Sequence, residues 1–242
     1  MPQITDSLTL ALVYSTLAGL AIPLGGLLAR VEHIRPQWLE NELRHTVVAF
    51  GGGALFSAVA LVLVPEGARH LSPLAAVALL GAGGVAFALV DSQLDRRGGG
   101  GSQLVAMLLD FLPESLALGA LLATGSETAL VLAGIIFLQN LPEGFNAYRE
   151  LIGAGRITSR RILGMFCLLV LLGPLGAGVG HLALAEAQGL LGAIMLFAAG
   201  GILYLVFEDI APQAVLANRH APPLGAVAGF MLGLAGHLIV TG

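Results

Sequence analysis

The sequence predicts an all-α integral membrane protein of eight transmembrane helices, and three observations predict it. Of 242 residues, 57% are hydrophobic and 11% charged, with mean hydropathy +0.90, whereas soluble domains carry about a quarter charged residues. The charges are also clustered: residues 7–29, 45–65, 70–90, 162–185, 187–207 and 220–242 contain no Asp, Glu, Lys or Arg. About 20 apolar residues make a helix long enough to cross roughly 30 Å of hydrocarbon, so each run can span. Two further stretches, 103–124 and 128–148, have the same length but enclose ionisable residues. The runs are continuous rather than alternating, which argues against spanning strands.

In order, the helices are expected at about 7–29, 45–65, 71–91, 103–124, 128–148, 162–185, 188–208 and 221–241, all within a single domain covering 1–242. The first is read as a helix rather than a signal peptide, because Asp6 stands where a signal has a basic region and the apolar run is too long. A lone cysteine, Cys167, excludes a disulfide framework or a Cys-based zinc site and reads as packing. No basic tract suggests nucleic acid. Connections are short, and the Gly98–Gly101 run reads as a flexible link.

Orientation follows from arginine, since the chain has no Lys. Arg30, Arg35, Arg44, Arg96, Arg97, Arg149, Arg156, Arg160, Arg161 and Arg219 fall in loops on one side, against Arg69 on the other. Cytoplasmic loops carry the positive excess, so both termini are expected outside. The all-Arg basic set and short loops point to a bacterial inner membrane.

Two segment pairs repeat. Leu112-Pro113-Glu114-Ser115 in the fourth span matches Leu141-Pro142-Glu143-Gly144 in the fifth, and Phe50-to-Pro65 in the second matches Phe197-to-Pro212 in the seventh. Paired spans run in opposite directions, giving three helices, a central pair and three more, with inverted halves. Such repeats with interrupted helices at matching places point to a secondary transporter with a site at mid-membrane.

The chemistry concentrates in the central pair. Asp110, Glu114 and Glu143 are the carboxylates well inside spans, where a charge costs about 2.5–3.5 kcal/mol or more and needs a partner or a wet cavity. Asp110 and Glu114 are four residues apart, as are Gln139 and Glu143, so each pair shares a helix face. With no Lys or Arg between residues 98 and 148, a bound cation is the economical partner. Pro113 and Pro142 lack an N–H for the carbonyls of Leu109 and Leu138, so a kink is expected one turn before each Glu. Carboxylates and an amide are hard oxygen donors that suit Mg²⁺, Mn²⁺ or Fe²⁺, without excluding zinc.

These residues resemble the ZIP (Zrt/Irt-like) divalent metal transporters. That family carries His-Asn-x-Pro-Glu-Gly in helix 4 and a His-Glu-x-Pro-Glu-Gly-like motif in helix 5. Here the corresponding segments read Asp110-Phe111-Leu112-Pro113-Glu114-Ser115 and Gln139-Asn140-Leu141-Pro142-Glu143-Gly144. The resemblance implies metal ligands at Asp110, Glu114, Gln139 and Glu143, a transported divalent ion (Zn, Mn, Fe or Cd) rather than a cofactor, no enzymatic activity, and a homodimer in the bilayer. It also implies departures. Asp110 replaces the usual His, Phe111 and Asn140 stand where a second metal would be held, the middle of helix 6 has no carboxylate, and Val62 replaces a helix 2 His. One metal is expected instead of two.

Auxiliary residues have competing readings. Asn140 and Ser115 either add weak oxygen contacts or pack between helices. Glu66 either lines the entrance or is a solvated interfacial group. Glu208 and Asp209 either relay the ion toward the cytoplasm or are solvated end charges. His181 and His237 read as interhelical hydrogen-bond partners, His33, His45, His70 and His220 as interfacial, and Asp91 and Asp95 as solvated. Two rival functions are a non-transporting metal sensor or scaffold and an intramembrane metallohydrolase. The second lacks a His-Glu-x-x-His motif.

Overall fold

A backbone in hydrocarbon must bond to itself, which leaves helices as the solution for isolated apolar runs. The computed structural model describes residues 2–32, 37–96, 102–155, 157–214 and 220–242, and the described residues form helices without a strand. They are α1 (Pro2–Val31), α2 (Gln37–Ala58, continuing through Val59–Leu63 to Val64–Ala68), α3 (Pro73–Arg96) and α4 (Ser102–Ala123). Then come α5 (Thr128–Gly153), α6 (Ser159–Leu169, Leu172–Val179 and Gly180–Leu184), α7 (Gln188–Leu205, Val206–Ile210 and Ala211–Gln213) and α8 (Ala221–Thr241). Among the described residues, seven of these, α1–α3 and α5–α8, are long and apolar enough to cross a membrane. α4 is 22 residues long and carries Asp110 and Glu114. Most helices extend several residues beyond the expected spans. His33, Arg35, Arg97, Arg156, Arg219 and Gly98–Gly101 lie outside the described residues.

The bundle is apolar outside and polar within. Leu74, Leu182 and Ile239 are 81%, 72% and 82% exposed, while Asp110, Glu114, Gln139 and Asn140 are buried. A water-soluble protein rarely exposes so much contiguous aliphatic surface. The chain is an integral membrane protein. Cys167, expected to pack, is exposed on α6, part of this outer surface.

Helix pairing repeats across the two halves. α1 packs most closely on α5 and α4 on α6, while α2 packs on α8 and α7 on α3. Exchanging α1–α3 with α6–α8, and α4 with α5, maps each pairing onto the next. Specific contacts obey the same exchange. A methyl group on Gly53 would collide with the Ala226 carbonyl, and one on Gly200 with the Leu80 carbonyl. Gly229 lies as tightly against Phe50, and Gly83 against Phe197. Gly53 and Phe50 become Gly200 and Phe197 on adding the same 147 residues that relate the two Phe-to-Pro segments. Only glycine permits backbones this close, a common basis of helix association in membranes.

α4 and α5 remain α-helical through Pro113 and Pro142, each proline lying inside its helix. Two wide turns lie in α2 and α7, immediately before Pro65 and Pro212, and a third, Gly180–Leu184, ends α6. In the first two, the widening is set by a single backbone bond. Val64 N–H reaches back to the Val59 carbonyl, and Ala211 N–H to the Val206 carbonyl. Each is a five-residue step, and the two are again 147 residues apart. A proline ring crowds the carbonyl four residues earlier, and widening the preceding turn relieves that crowding. In α6, Pro174 leaves the Val170 carbonyl without its usual donor, and Gly173 N–H fills it at 3.2 Å.

Gly53→Ala and Gly200→Ala are each expected to destabilise the protein by about 1–3 kcal/mol or more through overpacking. Gly134→Ala, at an open position, is expected to be neutral or slightly stabilising. Thermal unfolding in detergent checks all three, and an unchanged melt for Gly53→Ala and Gly200→Ala contradicts the close-packed repeat.

Candidate ion site between the central helices

α4 presents Asp110 and Glu114 from one face and α5 presents Gln139 and Glu143, as four-residue spacing dictates. Asp110 is 2% exposed, and Glu114 and Gln139 are fully buried. Gln139 Nε2 donates to Glu114 Oε2 at 2.6 Å across the helix pair. The bond joins the two helices in a dry interior. Asp110 lies within electrostatic reach of both Glu143 and Glu114, and Glu143 within reach of Glu114.

The remaining lone pairs are unfilled. Asp110 Oδ1, Glu114 Oε1, Gln139 Oε1 and both carboxylate oxygens of Glu143 are buried without a hydrogen-bond partner. Native interiors leave few such atoms, and a cluster of acceptor oxygens calls for a donor or a cation. The expected convergence of all four side chains is only partly present. Among the described residues no three His, Cys, Asp or Glu groups stand close enough to hold a metal ion. The amide of Gln139 takes one Glu114 oxygen.

The auxiliary residues separate. Asn140 turns to α1, its Nδ2 donating to the Ala18 carbonyl at 3.0 Å, so it ties helices together instead of joining the four. Ser115 is buried against Gly176. Phe111 fills the notch left by Gly19 and Gly173. Glu66 pairs with Arg69 at 2.7 Å and accepts from Thr128 Oγ1 at 3.0 Å, a link between α2 and the start of α5. Glu208 is exposed and Asp209 half-buried in the wide turn of α7.

His181 bears out its interhelical reading, with Nε2 2.9 Å from Ser7 Oγ on α1. Asp91, expected to be solvated, instead accepts from Tyr204 OH at 3.0 Å and so joins α3 to α7. Arg149 pairs with Glu32 at 2.7 Å and lies over Phe145, fastening the end of α5 to the end of α1. Sequence reasoning missed Asn146, which is 7% exposed and shares a small cavity with Glu143. Its spacing of three from Glu143 and seven from Gln139 was the available signal, because it continues the same helix face.

The central pair thus presents oxygen donors alone, from carboxylates and an amide, in a closed apolar bundle. In comparisons with known proteins, no family model and no curated protein matches the chain.

Gln139→Leu removes the donor to Glu114 and leaves a buried acceptor unpaired, at a cost of about 1–3 kcal/mol. Thermal unfolding without added metal is expected to show that loss, and a melt equal to wild type contradicts a stabilising Glu114–Gln139 bond.

Proposed function

We propose that the protein is a divalent metal cation transporter, with the ion held between α4 and α5 by Asp110, Glu114, Gln139 and Glu143. The observation that carries this reading is the set of buried, unpartnered oxygens on those four residues, in a stretch without Lys or Arg. A cation with two charges satisfies the lone pairs and offsets the carboxylate repulsion together. On binding, Gln139 turns its carbonyl oxygen inward, releasing Glu114, and Asp110 and Glu143 close around the ion. Oxygen-only donors favour hard cations such as Mn²⁺ over those that select thiolate or imidazole. The resemblance to ZIP transporters supports the same reading and the same four positions.

In this account eight helices span the membrane with both termini outside, as the arginine distribution supports, and the membrane is a bacterial plasma membrane. Movement is alternating access toward the cytoplasm. The repeat-related contacts of α2 with α8 and α7 with α3 supply two matched bodies that rock about the central pair.

The test is uptake of Mn²⁺, Fe²⁺, Zn²⁺, Cd²⁺ and Mg²⁺ into proteoliposomes. Wild type is expected to accumulate at least one of them, and a Glu114→Ala, Glu143→Ala double variant none. Flux of no ion by the wild-type protein contradicts transport and leaves a sensor or scaffold. Protons compete with metal for carboxylates, which bind in the ionised form, so uptake is expected to fall as pH drops from 8 to 5. A rate independent of pH over that range contradicts carboxylate ligation as the limiting step.

A further inference from the structure

Glu143 faces a second space besides the central pair. With Asn146, Val48, Gly52 and Ile210 it lines a cavity of about 20 Å³, room for one water or a bare divalent ion. Both Glu143 carboxylate oxygens are buried and unpartnered. Asn146, one turn further along α5, brings an amide of the same hard-donor type. Glu143 can therefore turn one oxygen to the central site and the other to the chamber.

Ile210 forms one wall of this chamber. It presses on α2 at Gly52, where an added methyl would collide with Ile210 Cγ2. The same side chain forms part of the wall of an open apolar groove of about 460 Å³ between α2, α7 and α8, whose exposed walls include Phe56, Phe207 and Met231. Ile210 thus stands between the space beside Glu143 and this outer groove. It is the last residue of the wide turn Val206–Ile210, where the helix backbone is already loosened. Its counterpart 147 residues earlier is Leu63, which ends the matching turn Val59–Leu63 and is fully buried. Equivalent positions in the two halves thus stand in unequal states, one sealed in the core and one at the mouth of a chamber.

We propose that Glu143 and Asn146 form a second holding position for the divalent cation as it leaves the central site, and that Ile210 is the gate closing that position toward the end of the bundle where α2 begins. This rests on the transport reading. The released ion would next meet the carboxylates of Glu208 and Asp209, which precede Ile210 in the same turn.

Thiol accessibility tests it without measuring flux. Val48→Cys, on a Cys167→Ser background, places a reporter in the chamber wall, and a charged membrane-impermeant methanethiosulfonate is applied to right-side-out and inside-out vesicles. Adding Ile210→Ala is expected to raise the labelling rate about tenfold from the cytoplasmic face alone, as the open fraction grows. Ile210→Leu, which keeps the bulk, is expected to return it. In the Ile210→Ala chain, Mn²⁺ is expected to slow labelling, and to lose that effect once Asn146→Leu is added. An unchanged rate, a rise from both faces, or equal rates for Ile210→Leu and Ile210→Ala overturns the gate. Labelling that Mn²⁺ leaves unchanged, or slows equally with Asn146→Leu, overturns the holding position. A chain that passes these tests but moves no ion in proteoliposomes refutes transport and leaves the gate standing.

Discussion

Buried carboxyl groups in a stretch, residues 98–148, that holds no basic side chain are the constraint around which this protein is organised. Asp110, Glu114 and Glu143 lie in a bundle whose outer face is aliphatic, and the nearest basic residues in sequence are Arg97 and Arg149. Arg149 is engaged with Glu32 at the helix ends. Desolvating a carboxylate costs several kcal/mol, so a folded chain that keeps three of them must offset the cost. Gln139 offsets part, by donating to Glu114. The rest of the demand remains on unpartnered oxygens.

The helices around the pair supply a frame that is rigid in some places and loosened in others. Glycine lets α2 approach α8, and α7 approach α3, at backbone distance, which fixes two repeat-related bodies. Within them the wide turns before Pro65 and Pro212 leave the helices less regular at matching heights. Widened turns of this kind are frequent at functional sites. The central helices run uninterrupted through Pro113 and Pro142. Regular central helices are thus flanked by helices with widened turns.

Much of this was legible in sequence because the physics involved is one-dimensional. Charge-free runs of span length give helices directly, and four-residue spacing puts Asp110 with Glu114 and Gln139 with Glu143 on common faces. The 147-residue offset found between Phe50 and Phe197 reappears as paired glycine contacts and paired wide turns. What escaped depends on contacts between helices. Tyr204 reaching Asp91, and Asn140 turning to Ala18, need distances that periodicity does not carry. Phe111 shows why a metal-binding position in a resembling family is a packing residue here, since it fills a notch that Gly19 and Gly173 leave open. Asn146 lay on a face already identified, but an amide alone gives no signal until the cavity beside it is visible.

The proposed divalent ion among oxygen donors between α4 and α5 is tested most directly by X-ray absorption on purified protein loaded with Mn²⁺, because the metal-edge spectrum reports the ligand shell whatever the transport rate. One bound Mn²⁺ per chain is expected, with an all-oxygen shell that includes carboxylate. A shell containing imidazole nitrogen, or no stoichiometric metal at neutral pH, would contradict it.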